Sequence, residues 1–404
     1  MTSVLFIVLT LPRAALAQDW VTDPAISVST SYETNPGLNA EDERPNRLYI
    51  VNPTIVSRLE FPTTTVDFDA SASVTRSKDQ TVAPDTEQFD LGASGEKVFS
   101  RTSLSAATRI TLEEFANSDF DDDQALSAVD VNVANEDDTI LTLRLSSGMS
   151  HEVTELITGT MNFNFTSTEF SDEARADSFD YRLTNGYSYA LNDVLSATTS
   201  GSVQYFDPVD DEAVVTLRVS GGANYVIDED HSVRGSIGLV SNDEDTSFTI
   251  DWSQNQSFRY FDVTSSSVFD LAPDENGQFQ RSSRSTVQLS VPVSDVTELR
   301  IGGGYAESEN TATVEANTAV NHAYSEFISL SLAASSRQTE NFGNNESADS
   351  KTTEIVITPT LNWIIDDEVS ATARYDEIME STDGNDSVNS RRGTISLNYN
   401  LGTF

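Results

Sequence analysis

The sequence lacks cysteine altogether and has few basic residues. With no Cys in 404 residues, disulfide bonds and cysteine-based metal or redox chemistry are excluded. Lys and Arg number 23 against 65 Asp and Glu, which gives a formal net charge of -42 at pH 7. Such a chain repels phosphates, so we expect no nucleic-acid partner.

Long hydrophobic runs are also missing, because no segment approaches the ~20 consecutive apolar residues that a membrane helix needs. The amino terminus has only a short apolar run, Val4 to Leu11, followed by Ala15-Leu16-Ala17. This pattern predicts a secretory signal peptide over residues 1–17. Residues 18–404 contain no linker and no change in composition, so we predict that they form one domain.

What the chain does contain is alternation of apolar and polar residues in segments of about ten. Ten residues at about 3.3 Å each, tilted by about 40°, cross the ~25 Å apolar layer of an outer membrane. The clearest segment in the first half alternates Asp67, Asp69, Ser71 and Ser73 with five apolar residues, namely Val66, Phe68, Ala70, Ala72 and Val74. We therefore interpret each segment as a membrane-crossing β-strand.

Tight turns and longer polar loops separate these segments in a regular order. Turns are predicted near Val153-Thr154, Asn192-Asp193, Asp228-Glu229-Asp230, Tyr260-Phe261, Ser294-Asp295, Tyr324-Ser325 and Asp366-Asp367. Leu126 to Val133 is assigned to an outer loop, because a spanning strand there would put the termini on opposite sides. The prediction is an all-β protein, a single transmembrane antiparallel up-and-down β-barrel with an even count of about 18–20 strands and both termini periplasmic.

The last ten residues, Ile395 to Phe404, form an amphipathic segment that ends on an aromatic residue. This ending resembles the carboxy-terminal assembly signal of bacterial outer-membrane β-barrels, in which the last strand closes the cylinder. The resemblance assigns the signal to Tyr399, Leu401 and Phe404, and it implies the barrel assembly machinery as a partner. Phe404 is one residue out of step with Leu401, and a bulge at Gly402 would restore the phase.

Seven arginines follow the polar phase of their strands, and we predict that they face the lumen. They are Arg109, Arg144, Arg182, Arg218, Arg234, Arg300 and Arg374. Asp67, Asp69 and Asp251 are predicted to face inward as well. Charge on the lipid face costs about 2–4 kcal/mol at the midplane, so inward placement does not by itself show a function. Two interpretations remain: a ladder of Arg–Asp pairs that stiffens the wall, or an arginine track for anions.

The remaining chemistry in the sequence is sparse. His151, His231 and His322 each lie beside a predicted inner turn on a different hairpin, and no Gly-x-Ser-x-Gly motif occurs. We therefore predict no enzymatic activity and no cofactor. The alternating Asp119, Asp121 and Asp123 are weak candidates for Ca²⁺, since the ordered spacing of an EF-hand loop is absent. Bridging of divalent ions to lipopolysaccharide phosphates is the form of binding that we favour for such loops.

The arrangement of amphipathic arms, such as the one from Gly186 to Asp193, resembles the outer-membrane barrels found beside exopolysaccharide genes in Gram-negative bacteria. This resemblance implies a passive, porin-like channel linked to exopolysaccharide export, with a polysaccharide or small solute as its cargo. The alternative is a structural or adhesive outer-membrane barrel whose acidic outer loops bind divalent cations, lipopolysaccharide or a surface partner. A cation-selective porin, expected from the net charge, and a secreted β-rich adhesin remain open. For every membrane interpretation, outer-membrane lipid and lipopolysaccharide are the surrounding partners.

Overall fold

The alternating segments form the wall of a β-barrel in the computed structural model of the chain. The structure describes residues 19–36, 38, 44–80, 82–116, 139–171, 177–209, 212–242, 246–273, 279–308, 311–342, 350–382 and 387–402. The predicted signal peptide over residues 1–17 lies outside the described residues. No helix within the described ranges is long and apolar enough to cross a bilayer.

Twenty strands follow one another along the chain. The first ten are β1 (Asp19–Glu33), β2 (Asn46–Phe61), β3 (Thr64–Ser77), β4 (Asp85–Val98), β5 (Thr102–Ala116), β6 (Thr139–Thr154), β7 (Ile157–Phe170), β8 (Ser178–Ala190), β9 (Leu195–Pro208) and β10 (Val214–Asp228). The second ten are β11 (His231–Ser241), β12 (Thr246–Phe258), β13 (Phe261–Pro273), β14 (Phe279–Ser294), β15 (Thr297–Glu307), β16 (Thr311–Ala323), β17 (Ile328–Asn341), β18 (Ser350–Ile364), β19 (Val369–Thr382) and β20 (Val388–Asn400).

Each strand pairs antiparallel with the next one in sequence, and β20 pairs with β1 to close the sheet. The closing ladder runs from Ala25–Asn400 to Glu33–Arg392. The prediction of an up-and-down barrel with an even strand count is therefore confirmed. Closure leaves no unpaired sheet edge, which is the condition for a β-sheet to span a membrane.

The connections at the two ends of the barrel differ in length. At one end, short turns such as Pro62-Thr63 between β2 and β3 join the strands into hairpins, and the predicted turns lie within two residues of the observed ones. The described ends of the chain lie at this same end, where the Leu401 N–H donates to the Pro24 carbonyl at 2.9 Å. Most connections at the opposite end are longer. The segment from Leu126 to Val133 belongs to one of them and lies outside the described residues, and β5 pairs directly with β6.

The pleat sorts side chains onto two faces, because cross-strand partners project from the same side of a sheet. One row of partners is Leu397, Val28, Val51 and Val74, which run side by side across β20, β1, β2 and β3. A row on the other face is Asp69, Gly92, Arg109 and Arg144 across β3 to β6. Large apolar side chains thus cover one face and polar side chains the other.

Pro53 and Pro359 each interrupt a ladder without shifting its register. Pairing of β2 with β3 is interrupted at Asn52 and Pro53 and resumes in the same register at Thr54. Pairing of β18 with β19 is interrupted in the same way beside Pro359. Proline has no N–H to donate to the ladder, so each proline removes bonds locally without the extra residue of a bulge.

Candidate functional site

The polar face is the concave one, and an ion pair across several strands shows this. Nη1 of Arg218 on β10 lies 2.8 Å from Oδ2 of Asp270 on β13, with two strands between them. Strands are spaced by ~4.8 Å, so side chains three strands apart meet where the wall curves toward them. Val240 on β11 is the cross-strand partner of Arg218 on the same face and is fully buried. The polar face therefore lines the lumen.

Strand register puts all seven arginines named from the sequence on this lumenal face. Arg109 and Arg144 face each other across β5 and β6. The other five lie opposite partners in the same inward phase, and they are Arg182 on β8, Arg218 on β10, Arg234 on β11, Arg300 on β15 and Arg374 on β19. The positive charges are thus spread over seven strands of the wall.

Four of the seven form ion pairs. Nη2 of Arg109 lies 3.0 Å from Asp69, and Arg218 binds Asp270 as described. Arg300 and Arg374 bind the acid two residues away on their own strands, Glu298 at 2.8 Å and Asp376 at 2.9 Å. These pairs correspond to the wall-stiffening ladder that was one interpretation of the sequence.

The other three arginines, Arg144, Arg182 and Arg234, have no ion pair within the part of the chain that the structure describes. All three side chains are exposed. Arg144 faces Arg109 directly across the ladder, so two guanidinium groups lie side by side there and only that of Arg109 has an acidic partner, Asp69. Because repulsion between neighbouring guanidinium groups is relieved by an anion or by water, these positions correspond to the anion-track interpretation.

The lumenal acids have two kinds of partner. Asp67 accepts a hydrogen bond from Nε of Arg58 at 2.7 Å, and Asp69 binds Arg109. Asp251 accepts instead from the Ser236 hydroxyl at 3.0 Å. The carboxylate of Asp251 therefore has no basic partner among the described residues.

Four further arginines of the described strands also face the lumen and were missed from the sequence, namely Arg58, Arg284, Arg337 and Arg392. Arg58 binds Asp67, Arg337 binds Glu315 at 2.9 Å, and Arg392 binds Glu33 at 2.7 Å. Each of them has a polar or small residue on at least one side, so the neighbouring residues alone do not show which face of the strand the arginine lies on. A phase carried along the strand from its apolar positions would have found them.

The three histidines lie on the outer face, at the end of the barrel with the short turns. Nδ1 of His151 lies 2.8 Å from the Thr102 hydroxyl, and Nδ1 of His322 lies 2.8 Å from that of Thr297. His231 lies 2.6 Å from Asp228 beside the β10–β11 turn. The structure thus places them on separate hairpins and brings no two of them together.

The weak metal candidates Asp119, Asp121 and Asp123 lie outside the described residues. Within the described ranges, no group of three or more His, Asp or Glu side chains has the arrangement to hold a metal ion.

The carboxy-terminal signal is described as far as Gly402. Tyr399 pairs with Ile26 on the apolar face, and Leu401 follows in the same phase just after β20 ends. Gly402 has φ +88°, in the left-handed region that glycine adopts without strain, and its N–H donates to Oδ1 of Asn400 at 3.0 Å. Phe404 lies outside the described residues, so its phase stays a prediction.

A closed, twenty-stranded antiparallel wall with an apolar outer face and a charged lumen defines an outer-membrane β-barrel fold. Solved structures with a similar fold include siderophore receptors. The siderophore receptor PirA from Pseudomonas aeruginosa matches with a TM-score of 0.58 and 10% identity over 94% of this chain and 80% of its own.

Two further structures show the same likeness. PirA from Acinetobacter baumannii has a TM-score of 0.61 at 6% identity, with 94% and 80% of the two chains covered. The ferric-catecholate import receptor Fiu from E. coli K12 has a TM-score of 0.53 at 9% identity, with 94% and 82% covered. At such low identity the likeness shows the fold alone. No family model matches the sequence, and a search of curated proteins finds no relative.

Proposed function

We propose that the chain is a protein of the Gram-negative outer membrane that acts as a passive, water-filled channel. The observation that carries this proposal is the lumenal placement of the exposed Arg144, Arg182 and Arg234, which have no ion pair among the described residues of the closed barrel. A charged side chain that faces lipid at the bilayer midplane costs about 2–4 kcal/mol, whereas the same side chain in a water-filled lumen stays hydrated. Such a lumen is a path for polar solutes.

The number of strands supports a wide lumen. Side chains fill the interior of barrels of about eight strands, whereas barrels of 16–18 strands leave an aqueous channel. Twenty strands form the wall of this barrel, and every strand within the described ranges belongs to that wall. The orientation that we propose puts the short turns and both termini in the periplasm and the longer loops outside the cell.

The charge pattern supports a finer proposal for the solute. Arg144 on β6 and Arg182 on β8 have no ion pair among the described residues, and together with Arg109 on β5, which faces Arg144 but binds Asp69, they form a basic stripe along one side of the lumen. Guanidinium groups bind carboxylates in two-point fashion, so the stripe suits an anionic exopolysaccharide. The acids Asp90 and Asp180 lie beside it and accept hydrogen bonds from Thr111 and Gln204. Because these carboxylates are negatively charged, they allow small cations to cross the lumen as well.

Conductance across a planar bilayer tests the channel. The purified, folded full chain is expected to give steady current steps. Replacing Arg144 and Arg182 together by Gln removes positive charge from the lumen, so the reversal potential in a salt gradient should shift toward cation selectivity. A polyuronate added on one side should block the native channel more strongly than the double variant.

Arg259→Gln is the matched control, because Arg259 lies in the turn between β12 and β13 and not in the lumen. Its conductance and selectivity should equal those of the native protein. Folded protein that passes no current would contradict the channel, and current without block by the polyuronate would contradict the finer proposal alone. The structural or adhesive alternative depends largely on outer-loop residues outside the described ranges and stays a prediction, as does the absence of enzymatic activity.

A further inference from the structure

A groove of about 690 Å³ lies on the wall where the first and last strands meet. Its sides are the outward-facing rings of Tyr32 on β1 and Tyr375 on β19, which flank Gly393 on β20 in one row of cross-strand partners. Ile395 and Leu361 continue it toward the middle of the wall. We call this surface the seam groove. Its lining is mostly apolar, as a lipid-facing surface requires.

The floor of the seam groove is open because Gly393 has no side chain. Apart from Gly393 and its two neighbours in the chain, no heavy atom of the described residues lies within 4 Å of the position that a β-carbon would occupy there. Its neighbours on both sides of the row are tyrosines, so the missing side chain leaves a notch between two rings. A notch of this kind accommodates a hydrocarbon chain lying against the wall.

One end of the groove opens at the level where the outer face becomes polar. The next outward positions beyond Tyr375 and Gly393 are Glu377 and Arg391, whose side chains pair at 3.4 Å. This level is at the end of the barrel with the longer loops. The groove therefore extends from the outer headgroup level into the apolar layer.

Two basic residues without an acidic partner in the described ranges lie at this polar end. The Arg47 guanidinium lies 5.8 Å from the centre of the Tyr32 ring, in the same row as Gly393. Lys78 is exposed next to it, and its backbone N–H donates to the Arg47 carbonyl at 2.9 Å. Arg76 lies on the same face, but its charge is matched by Glu87 and Asp85. Arg47 and Lys78 thus offer positive charge just above an apolar groove.

We propose that the seam groove binds the phosphorylated glycolipid of the outer leaflet, with an acyl chain over Gly393 and a phosphate between Arg47 and Lys78. Apolar walls below, and above them positive charge with no acidic partner among the described residues, match the two parts of that lipid. The lipid would cover the ladder that closes the barrel. This inference depends on the protein lying in the outer membrane, and it does not depend on conduction through the lumen.

Lipid binding to the detergent-solubilised full chain tests the proposal. The probes are diphosphorylated lipid A, its dephosphorylated form and phosphatidylglycerol, and native mass spectrometry measures bound lipid at each concentration. Native protein is expected to bind lipid A at least about tenfold more tightly than the dephosphorylated form, since each charge-assisted contact contributes roughly that factor. The variant with Arg47→Gln and Lys78→Gln should lose this preference, and Gly393→Leu should weaken binding by filling the notch.

Two control variants use matched positions elsewhere on the barrel. Arg259→Gln removes an arginine that lies 5.3 Å from the Tyr260 ring at the opposite end. Gly201→Leu adds a side chain on the outer face of β9, where the nearest heavy atom to a β-carbon would be the Arg218 carbonyl oxygen at 3.8 Å. Both should bind lipid A as the native protein does. Electrophoresis of unheated samples verifies that every variant is folded.

Three results would overturn the proposal. The first is that the folded double variant and Gly393→Leu bind lipid A with the same affinity as the native protein. The second is equal affinity for phosphatidylglycerol, which would make the groove a general site for anionic lipid. The third is a change of oligomeric state in Gly393→Leu with lipid binding intact, which would assign the groove to a second copy of the chain.

Discussion

An ion pair between a buried glutamate and a half-exposed arginine links the first and last strands, and its removal should weaken the closed barrel measurably. Glu33 on β1 is 7% exposed. It accepts hydrogen bonds from the Ser390 hydroxyl at 3.0 Å and from Nε of Arg392 at 2.8 Å, both on β20. Replacing Glu33 by Ala would leave the buried Ser390 hydroxyl without its acceptor and Arg392 without its counter-ion.

The size of the effect follows from these contacts. Removing one partner of a fully buried ion pair costs about 3–5 kcal/mol, and a hydrogen bond to a charged group contributes about 1.5–3 kcal/mol. The Arg392 side chain is 43% exposed, so lumenal water would solvate it after the change. We therefore expect Glu33→Ala to lower the free energy of unfolding by about 2–3 kcal/mol.

Urea unfolding of the barrel in lipid vesicles, followed by tryptophan fluorescence, measures this loss. A double-mutant cycle with Arg392→Met isolates the pair, and a coupling energy of about 1–2 kcal/mol is expected. Glu60→Ala is the control, because Glu60 is exposed and lies 4.0 Å from Arg58, and its unfolding midpoint should stay at the native value. A Glu33→Ala midpoint equal to that of the native protein, with no coupling to Arg392, would refute the reasoning.

Two further predictions concern the outer face and the close contact between β10 and β11. Brominated lipids should quench the fluorescence of Trp252 more strongly than that of Trp20 and Trp363, because Trp252 lies in mid-strand and the other two lie near strand ends. Single-tryptophan variants with equal quenching at every bromine depth would contradict this placement. Gly238→Val should destabilise the barrel by about 1–3 kcal/mol, because a β-carbon at Gly238 would lie 2.5 Å from the Val219 carbonyl oxygen. Gly201→Val meets no such contact and should unfold at the native urea concentration, so equal midpoints for the two glycine variants would disprove the steric argument.

Alternation along the chain was enough to predict the barrel, because a wall between lipid and water imposes a period of two on every strand. It also indicated the face of Arg109 and Arg144, since Arg109 precedes Ile110 and Arg144 lies between two leucines. The same reasoning failed at Arg337, which lies between Ser336 and Gln338, because polar neighbours hide the phase. The residues next to an arginine show which face of the strand it lies on only where one of them is apolar and marks the lipid side.

The pairing of charges could not be predicted from the sequence. Which acid meets which arginine depends on the offset between neighbouring strands, and alternation is unchanged when a strand shifts by two residues. The bridge from Arg218 to Asp270 also needs the curvature of the closed wall, which no single strand encodes. Arg144 and Arg182 are therefore distinguished from their paired counterparts only by the three-dimensional register.

The order of pairing has a consequence for how the chain folds. Every ladder except one joins strands that are neighbours in sequence, whereas Glu33 and Arg392 are brought together from opposite ends of the chain. Closing a loop of that length costs about 5 kcal/mol in chain entropy, against about 2 kcal/mol for a hairpin. Hairpins can therefore form early and independently, and the rate of the final step should depend on how long the two terminal strands stay within reach of each other.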